Sequence, residues 1–241
     1  MTIQEFDYSV THDDAVACHR KMTLEESVIE IDTSTVAGSK DGISKKPNED
    51  TFSVIKTPDS ILAAVFDGCS SQKSIASLKD QTGAHFASHF LKQEFEKIEN
   101  IESPEQIIRL LNKKLLAKSM QFEESTLSDV HTLPASTATV VQLDLKDKKL
   151  RISHVGDTFC ILQFTDSHTE FVTIDRNRKY DNEILALVKK IAFEKHITPR
   201  EARKDERIKK AVIDMFQDSY NRSDGTGQGI INGDPNVEKY I

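Results

Sequence analysis

The segment ILAAVFDG (residues 61–68) is the strongest structural signal in the sequence, because its apolar run ends abruptly at an Asp-Gly pair. A short apolar run that is bounded by turn residues predicts a β-strand buried on both faces. The preceding segment TFSVIK (residues 51–56) also predicts a strand, and Pro-Asp-Ser at residues 58–60 is typical of a tight turn. So short a connection predicts that the two strands pair antiparallel.

Two helices are predicted to follow this pair of strands. The first extends over residues 74–98, where apolar residues recur with a helical period. The second begins at Ser-Pro-Glu-Gln (residues 103–106), which combines an N-cap serine, a proline in the first turn and a glutamine at the third helical position. The residues expected in the shared core are Phe86, Phe90, Ile107 and Leu111.

The second half of the chain is predicted to contain more strands and then more helices. Short turns separate four strand-like segments, which excludes parallel crossovers and predicts an antiparallel meander. The four segments are residues 136–144, 150–155, 158–164 and 170–174. Two helices are predicted after them, at residues 181–195 and 198–220. Because strands and helices are segregated along the chain, the fold class is predicted to be α+β.

Composition narrows the classes of function. The 241 residues include 32 Lys and Arg against 39 Asp and Glu, a net charge of −7, which argues against nucleic-acid binding. The chain contains no apolar run of the roughly 20 residues needed to span a bilayer, so no membrane association is expected. Three scattered cysteines indicate reduced thiols, and we expect a cytoplasmic monomer. Residues 1–28 are interpreted as an N-terminal extension and residues 29–241 as one domain.

Carboxylates are expected to meet at one end of the first strand pair. Asp67 ends its strand, and Gly68 allows another backbone to approach closely. Antiparallel pairing would bring Glu49 and Asp50, at the start of the partner strand, beside Asp67. Hard cations prefer such oxygen ligands, so the group is a candidate metal site. An ordinary Asp-Gly turn and a solvated acidic strand end remain the alternatives.

Gly156-Asp157 is a second candidate position. The pair suits a two-residue hairpin between neighbouring strands, which is the simplest interpretation. That interpretation still allows the Asp157 carboxylate to face the other carboxylates.

Five segments follow one another along the chain: KPNEDTFSV, ILAAVFDGCSS, QTGAHFASHF, ASTATVVQLD and RISHVGDTFCILQ. Their order and approximate spacing resemble those of the metal-dependent protein phosphatase 2C (PPM) family, in particular its bacterial-type members. The resemblance implies a sandwich of two antiparallel β-sheets flanked by pairs of helices. It also implies hydrolysis of phosphoserine or phosphothreonine in a phosphorylated protein substrate.

The resemblance further implies a site for two Mn²⁺ or Mg²⁺ ions. On the family pattern, Asp67 would bridge both ions and Gly68 would offer its carbonyl. Glu49 and Asp50 would hold one ion directly or through water, and Asp157 would touch a third, weaker ion. A metal-held water would then attack the phosphorus, so that no phosphoenzyme is needed.

The chain departs from the family pattern at two positions near the site. Lys45 stands where the family usually has an arginine that grips the substrate phosphate, and lysine binds phosphate as a point charge without the bidentate fork. The alternative interpretation is that Lys45 and its neighbour Lys46 are two solvated loop lysines. Cys69 stands where many members carry a histidine that is proposed as general acid. His85, His89, His131 and His154 are alternatives by residue type only.

The largest departure lies at the C-terminal end. Family members carry further metal-binding aspartates after a segment like Asn-Gly-Asp, and none that match follow residues 232–234 here. The domain is therefore expected to be C-terminally incomplete and to be a poor phosphatase as it stands. The alternative is a weak or inactive phosphatase-like module that binds phosphoproteins or regulatory partners. A third interpretation is an α+β domain with a structural acidic cluster.

Overall fold

The structure is a computed structural model. It describes residues 3–4, 15–24, 27–36, 47–69, 75–79, 81–99, 103–126, 128–129 and 132–241, with side chains described from residue 47 onward except at residue 217. The strands are β1 (Ile3–Gln4), β2 (Ala15–Leu24), β3 (Ser27–Val36), β4 (Asp50–Lys56), β5 (Ser60–Cys69), β6 (Ala135–Asp144), β7 (Lys149–Val155), β8 (Ile161–Gln163) and β9 (Thr169–Phe171). The α-helices are α1 (Gly83–Phe95), α2 (Pro104–Ser119), α3 (Arg178–Lys195), α4 (Pro199–Ala202) and α5 (Glu206–Ser219), and the 3₁₀ segments are Ala76–Leu78 and Pro235–Lys239.

The main sheet is antiparallel throughout, with its strands in the order β4-β5-β6-β7. The predicted pairing of the first two strands is confirmed, and the amide of Thr57 donates to the carbonyl of Ser60 across the turn, at 2.9 Å. A second three-stranded sheet joins β1, β2 and β3, and β2 pairs with β3 over its full length.

The core lies between one face of the main sheet and helices α1 and α2. Leu62, Ala64 and Phe66 alternate along β5 and point into this core, where the Phe66 ring meets the Phe95 ring edge-on at 6.0 Å. The other face of β5 is partly open, since Val65 is 43% exposed. The prediction that this strand is buried on both faces is therefore wrong, because the helices of this core cover one face only.

Helix α2 begins at the predicted capping signal. Ser103 accepts a hydrogen bond from the amide of Gln106, and the Gln106 side chain accepts one from the amide of Ser103. This reciprocal arrangement satisfies two amides that the first turn leaves without helical partners. The predicted burial of Ile107 and Leu111 is confirmed.

Helix α1 is shorter than predicted. It begins at Gly83, not near residue 74, because Thr82 caps it by accepting a hydrogen bond from the amide of His85. Its buried residues include Ala84, Ala87, Leu91 and Phe95, whereas Phe86 and Phe90 are only partly buried against this core. The helix therefore presents its small residues to the sheet, which lets the two backbones approach closely.

This packing predicts unequal costs for two phenylalanine truncations in α1. Phe95 is fully buried, so we expect Phe95→Ala to reduce the free energy of unfolding by about 3–5 kcal/mol. Phe90 keeps contact with solvent, so Phe90→Ala should cost about 1–2 kcal/mol. Urea denaturation of the two variants measures the difference. Equal losses would show that the core face of α1 has been assigned wrongly.

The predicted four-stranded meander is wrong. Strands β6 and β7 belong to the main sheet, but β8 and β9 form a separate two-stranded sheet. The chain leaves the main sheet after β7 at Gly156, whose φ of 95° lies in the region that only glycine adopts readily. Gly156-Asp157 is consequently not a hairpin turn between paired strands.

The last helices have a small core of their own, formed by Val188, Ile191, Ala192, Ala202 and Ile208. The sequence predicts a single helix over residues 198–220, but the structure has two helices there, α4 and α5. Asp205 is the N-cap residue of α5, and its side chain accepts a hydrogen bond from the amide of Arg207. The predicted α+β class, with antiparallel sheets and packed helices, is confirmed. Within the described residues, none of the helices is both long and apolar enough to cross a membrane.

Candidate metal centre

Three polar residues line up across one end of the main sheet. Asp50 at the start of β4 lies directly opposite Asp67 near the end of β5, and Asp67 lies opposite Thr137 of β6. The hydroxyl of Ser136 donates to the backbone carbonyl of Asp67 at 2.8 Å and holds this end of the strand in place. The expectation that antiparallel pairing places Asp50 beside Asp67 is confirmed.

Gly68 is required by the close approach of two other backbone segments. Its amide donates to the carbonyl of Glu49 at 3.0 Å. A Cβ at this position would lie 2.4 Å from the carbonyl oxygen of Ala84 and 2.7 Å from that of Glu49. The N-terminal turn of α1 therefore rests on the end of β5, and the absence of a side chain at residue 68 brings Glu49 to the site.

The Asp67 carboxyl lies in an environment that disfavours its charge. Burial raises its pKa most, and a hydrogen bond with the Asp50 carboxyl and the negative charge of Asp50 raise it further, to about 7. The charges of Asp157 and Glu49 add smaller contributions in the same direction. Carboxylates that crowd one position repel each other unless a proton or a cation joins them.

Asp157 reaches this region because the chain turns sharply after β7. A Cβ on Gly156 would lie 2.2 Å from the Thr137 side chain, so Gly156 packs directly against the row of residues at the sheet end. Asp157 then accepts a hydrogen bond of 2.7 Å from the side-chain amide of Asn177. The sequence reasoning missed Asn177, because it follows the β8–β9 ribbon and no local pattern connects it with Asp157.

Thr82 is a second residue that the sequence reasoning missed. Its hydroxyl donates to Glu49 at 2.6 Å while it accepts the capping hydrogen bond from the amide of His85. The Thr-Gly pair at residues 82–83 is a recognisable helix start. It was missed because the predicted helix begins at residue 74 and includes both residues. Thr82 thus orients Glu49 from the N-terminal end of α1.

Cys69 and Tyr220 border the carboxylates as neutral groups. Burial and then the negative charges of Asp67 and Asp157 raise the pKa of the Cys69 thiol well above its usual range. Burial, with smaller contributions from Cys69, Asp157 and Asp67, likewise raises the pKa of Tyr220. A thiol that holds its proton so firmly is a poor general acid at neutral pH.

The remaining candidates are one pair of lysines and four histidines. Lys45, Lys46 and His131 lie outside the described residues. His154 belongs to β7, where its Nε2 accepts a hydrogen bond of 2.9 Å from the amide of Ile174, which indicates a structural role. His85 and His89 lie on the first turns of α1.

The donor chemistry of the site fits a hard divalent cation. Asp50 and Asp67 converge closely enough to share a hydrogen bond, and a cation would relieve the repulsion that raises the Asp67 pKa. The arrangement is only partly assembled, because Glu49 bonds to Thr82 and Asp157 bonds to Asn177. Across the described part of the chain, no three His, Cys, Asp or Glu side chains group closely enough to hold a metal ion.

The raised pKa of Asp67 makes a prediction for the metal-free protein. A carboxyl that binds its proton more tightly in the folded state contributes stability below its unfolded pKa of 3.8, and this is lost as the pH rises towards 7. With a chelator present, we expect the free energy of unfolding of the wild-type protein to fall between pH 4 and 8 by about 1–3 kcal/mol more than that of Asp67→Asn. Urea titrations at both pH values measure this difference, and parallel pH profiles for the two proteins would contradict it.

Comparisons with known proteins give a matching family model and a similar solved structure. No curated protein sequence matches the chain. Among solved structures, the crystal structure of RsbX in complex with magnesium is similar, with a TM-score of 0.39 and 14% sequence identity over 72% of this chain. The match covers 64% of RsbX, which is less than two thirds of that protein's length. The family model described as protein phosphatase 2C matches residues 37–215, a range that contains β4 to β9 and every candidate carboxylate. Since that range is well over half of the 241 residues, the chain belongs to the protein phosphatase 2C family.

Proposed function

We propose that this protein is a metal-dependent phosphatase that acts on phosphoserine and phosphothreonine in proteins. Family membership supports the broader class of protein phosphatase. The observation that carries the finer proposal is the pairing of Asp50 with Asp67 at the sheet end, with the charges of Glu49 and Asp157 close enough to act on Asp67. Several carboxylates close to one another favour the binding of a cation over that of a neutral ligand.

The cation is proposed to be Mn²⁺ or Mg²⁺. Asp67, Asp50, the Gly68 carbonyl and Glu49 would hold it, and Asp157 would contribute a further carboxylate. A bound ion of this class would activate water and stabilise the charge of the transferring phosphoryl group. The chain itself would position these oxygens: Ser136 holds the Asp67 backbone, and Thr82 and Asn177 orient Glu49 and Asp157.

Lys45 is proposed to bind the phosphate of the substrate. It precedes Glu49 by four residues in the sequence. A lysine would attract the phosphate as a point charge, without the bidentate geometry of arginine. The substrate is proposed to be a phosphorylated protein, and the protein itself a cytoplasmic monomer that binds neither nucleic acid nor membranes.

A weak or inactive module that binds phosphoproteins is the second candidate function. It is favoured by the partly assembled site, because Glu49 and Asp157 are both engaged by neighbouring side chains and no group of three metal-binding side chains forms among the described residues. Such a module would retain the fold and the contact with substrate while hydrolysing it slowly.

A steady-state assay separates the two candidates. We expect phosphopeptide and p-nitrophenyl phosphate hydrolysis to require millimolar Mn²⁺, to exceed an Asp67→Asn blank, and to remain well below the rate of an efficient phosphatase. Turnover that persists in chelator would contradict the metal-dependent mechanism. Phosphopeptide binding with no turnover above the blank would favour the second candidate, and the absence of both binding and turnover would reject both.

A further inference from the structure

Helix α1 carries two histidines one turn apart, and neither is assigned to the proposed phosphatase chemistry. His85 and His89 are four residues apart, so their side chains lie on one face of the helix. Their ring centroids are 3.9 Å apart and the rings are inclined by 32°. Two imidazoles that approach this closely are positioned to act together on one ligand.

The hydrogen bonds of the two rings determine which nitrogen is free. His85 Nδ1 lies 2.7 Å from the backbone carbonyl of Asn48, and His89 Nδ1 lies 2.9 Å from the backbone carbonyl of His85. The Ser88 hydroxyl also lies 3.2 Å from His89 Nδ1 and can accept from it. A carbonyl oxygen can only accept, so these contacts favour the tautomer in which both Nδ1 atoms carry a proton. In the neutral rings, the lone pair is therefore on Nε2, to which no described group forms a hydrogen bond.

This pattern matches the way in which proteins prepare histidine for a metal. Ligating imidazoles commonly donate their second ring N–H to a backbone carbonyl or a carboxylate, which sets the tautomer and the orientation of the ring. Both rings here already make that bond. Partial burial, followed by the nearby His85 ring, lowers the pKa of His89, which favours the neutral form that a metal requires.

We propose that His85 and His89 form a two-histidine site for a divalent ion of the Zn²⁺, Ni²⁺ or Cu²⁺ class. Imidazole nitrogen is a preferred ligand of these ions, whereas Mg²⁺ and Mn²⁺ favour oxygen. The two Nε2 atoms would each bind the ion at about 2.0–2.1 Å, and water would complete its shell. This site is chemically distinct from the carboxylate site of β4 and β5.

The site would also restrain the segment before β4. His85 bonds to the carbonyl of Asn48, which directly precedes Glu49, and Thr82 of the same helix bonds to the Glu49 side chain. An ion on the two histidines would therefore hold His85, and with it the backbone of Asn48, against the helix. Any coupling to the carboxylate site must be reciprocal in the two binding free energies.

The test is calorimetric titration with Zn²⁺, and separately with Ni²⁺, in excess Mg²⁺ at pH 7.5. We expect His85→Ala and His89→Ala each to weaken one binding event by about tenfold or more, since either change destroys the chelate. The double variant should bind little more weakly than either single variant. His168→Ala, which removes an exposed histidine elsewhere, should leave this event unchanged.

A measurement on the two imidazole rings of the wild-type protein does not depend on whether a variant folds or on metal binding at other sites. Long-range ¹H–¹⁵N spectra of the wild-type protein should show both rings protonated on Nδ1 without metal, and Zn²⁺ should shift both Nε2 signals. Zn²⁺ binding that leaves these two signals unchanged would overturn the proposal. The proposal would also fail if His168→Ala weakened binding as much as His85→Ala.

Discussion

Asp67→Asn is expected to abolish Mn²⁺ binding at the sheet end and to reduce phosphatase turnover to the level of the blank. Asp67 has Asp50 directly opposite it and feels the charges of Glu49 and Asp157, so an amide in its place removes the central negative oxygen. Loss of a residue that merely orients a ligand costs about 10–100-fold in metal affinity, so loss of a central ligand should cost about 100-fold or more.

Calorimetry with Mn²⁺ and a steady-state assay measure these two losses. Asp59→Asn is the matched control, because Asp59 is an exposed residue in the β4–β5 turn at the opposite end of the same strand pair. The control should bind Mn²⁺ like the wild type. An Asp67→Asn variant that keeps wild-type affinity would show that the ion, if bound, is held elsewhere.

Gly68→Ala is expected to cost about 3 kcal/mol or more in the free energy of unfolding. The added methyl group would lie 2.4 Å from the Ala84 carbonyl oxygen and 2.7 Å from that of Glu49, and both contacts are backbone. Neither segment can yield by rotating a side chain, so α1 or the start of β4 must move. Overpacking usually costs about 1–3 kcal/mol in the free energy of unfolding, and it costs more where the surroundings are rigid. Because both neighbours here are backbone segments, we expect the cost of Gly68→Ala to lie at or above the upper end of that range.

Gly225→Ala provides the comparison for this variant. Gly225 has a φ of 74°, but the nearest atom to an added Cβ is 3.9 Å away, so this change brings backbone strain without crowding. It should cost about 1–2 kcal/mol. Urea denaturation of both variants tests the difference. If Gly68→Ala were the milder change, the close packing of α1 on the end of β5 would be refuted.

The two alanine variants are also expected to differ in their affinity for Mn²⁺. Gly68 joins the carbonyl of Glu49 to the end of β5, so displacing that segment should weaken Mn²⁺ binding as well as stability. Gly225 lies in a loop far along the chain from these residues and should alter stability alone.

The features that the sequence predicted well depend on neighbouring residues. The tight turn between β4 and β5 follows from Pro-Asp-Ser, and this turn alone places Asp50 opposite Asp67. The start of α2 follows from Ser103 and Gln106, whose side chains bond within a single turn. Patterns of this kind are readable because the interacting groups are fixed by backbone geometry over a few residues.

Only the tertiary structure decided which partners the site residues have. Asn177 reaches Asp157 across the β8–β9 ribbon, and Thr82 reaches Glu49 across 33 positions, so no local spacing indicates either contact. The choice of buried face on α1 also depended on the sheet, because the small residues Ala84 and Ala87 allow closer backbone packing than Phe86 and Phe90.

The sequence by itself determined the strand pair, the helix cap and the two aspartates at one sheet end, because each results from groups that short-range geometry brings together. The tertiary structure decided that Asp67 is buried and crowded enough to raise its pKa, that β8 and β9 leave the main sheet, and that His85 and His89 turn their Nδ1 atoms to backbone carbonyls. These properties depend on burial and on contacts between segments distant in sequence, which are established only when the chain packs.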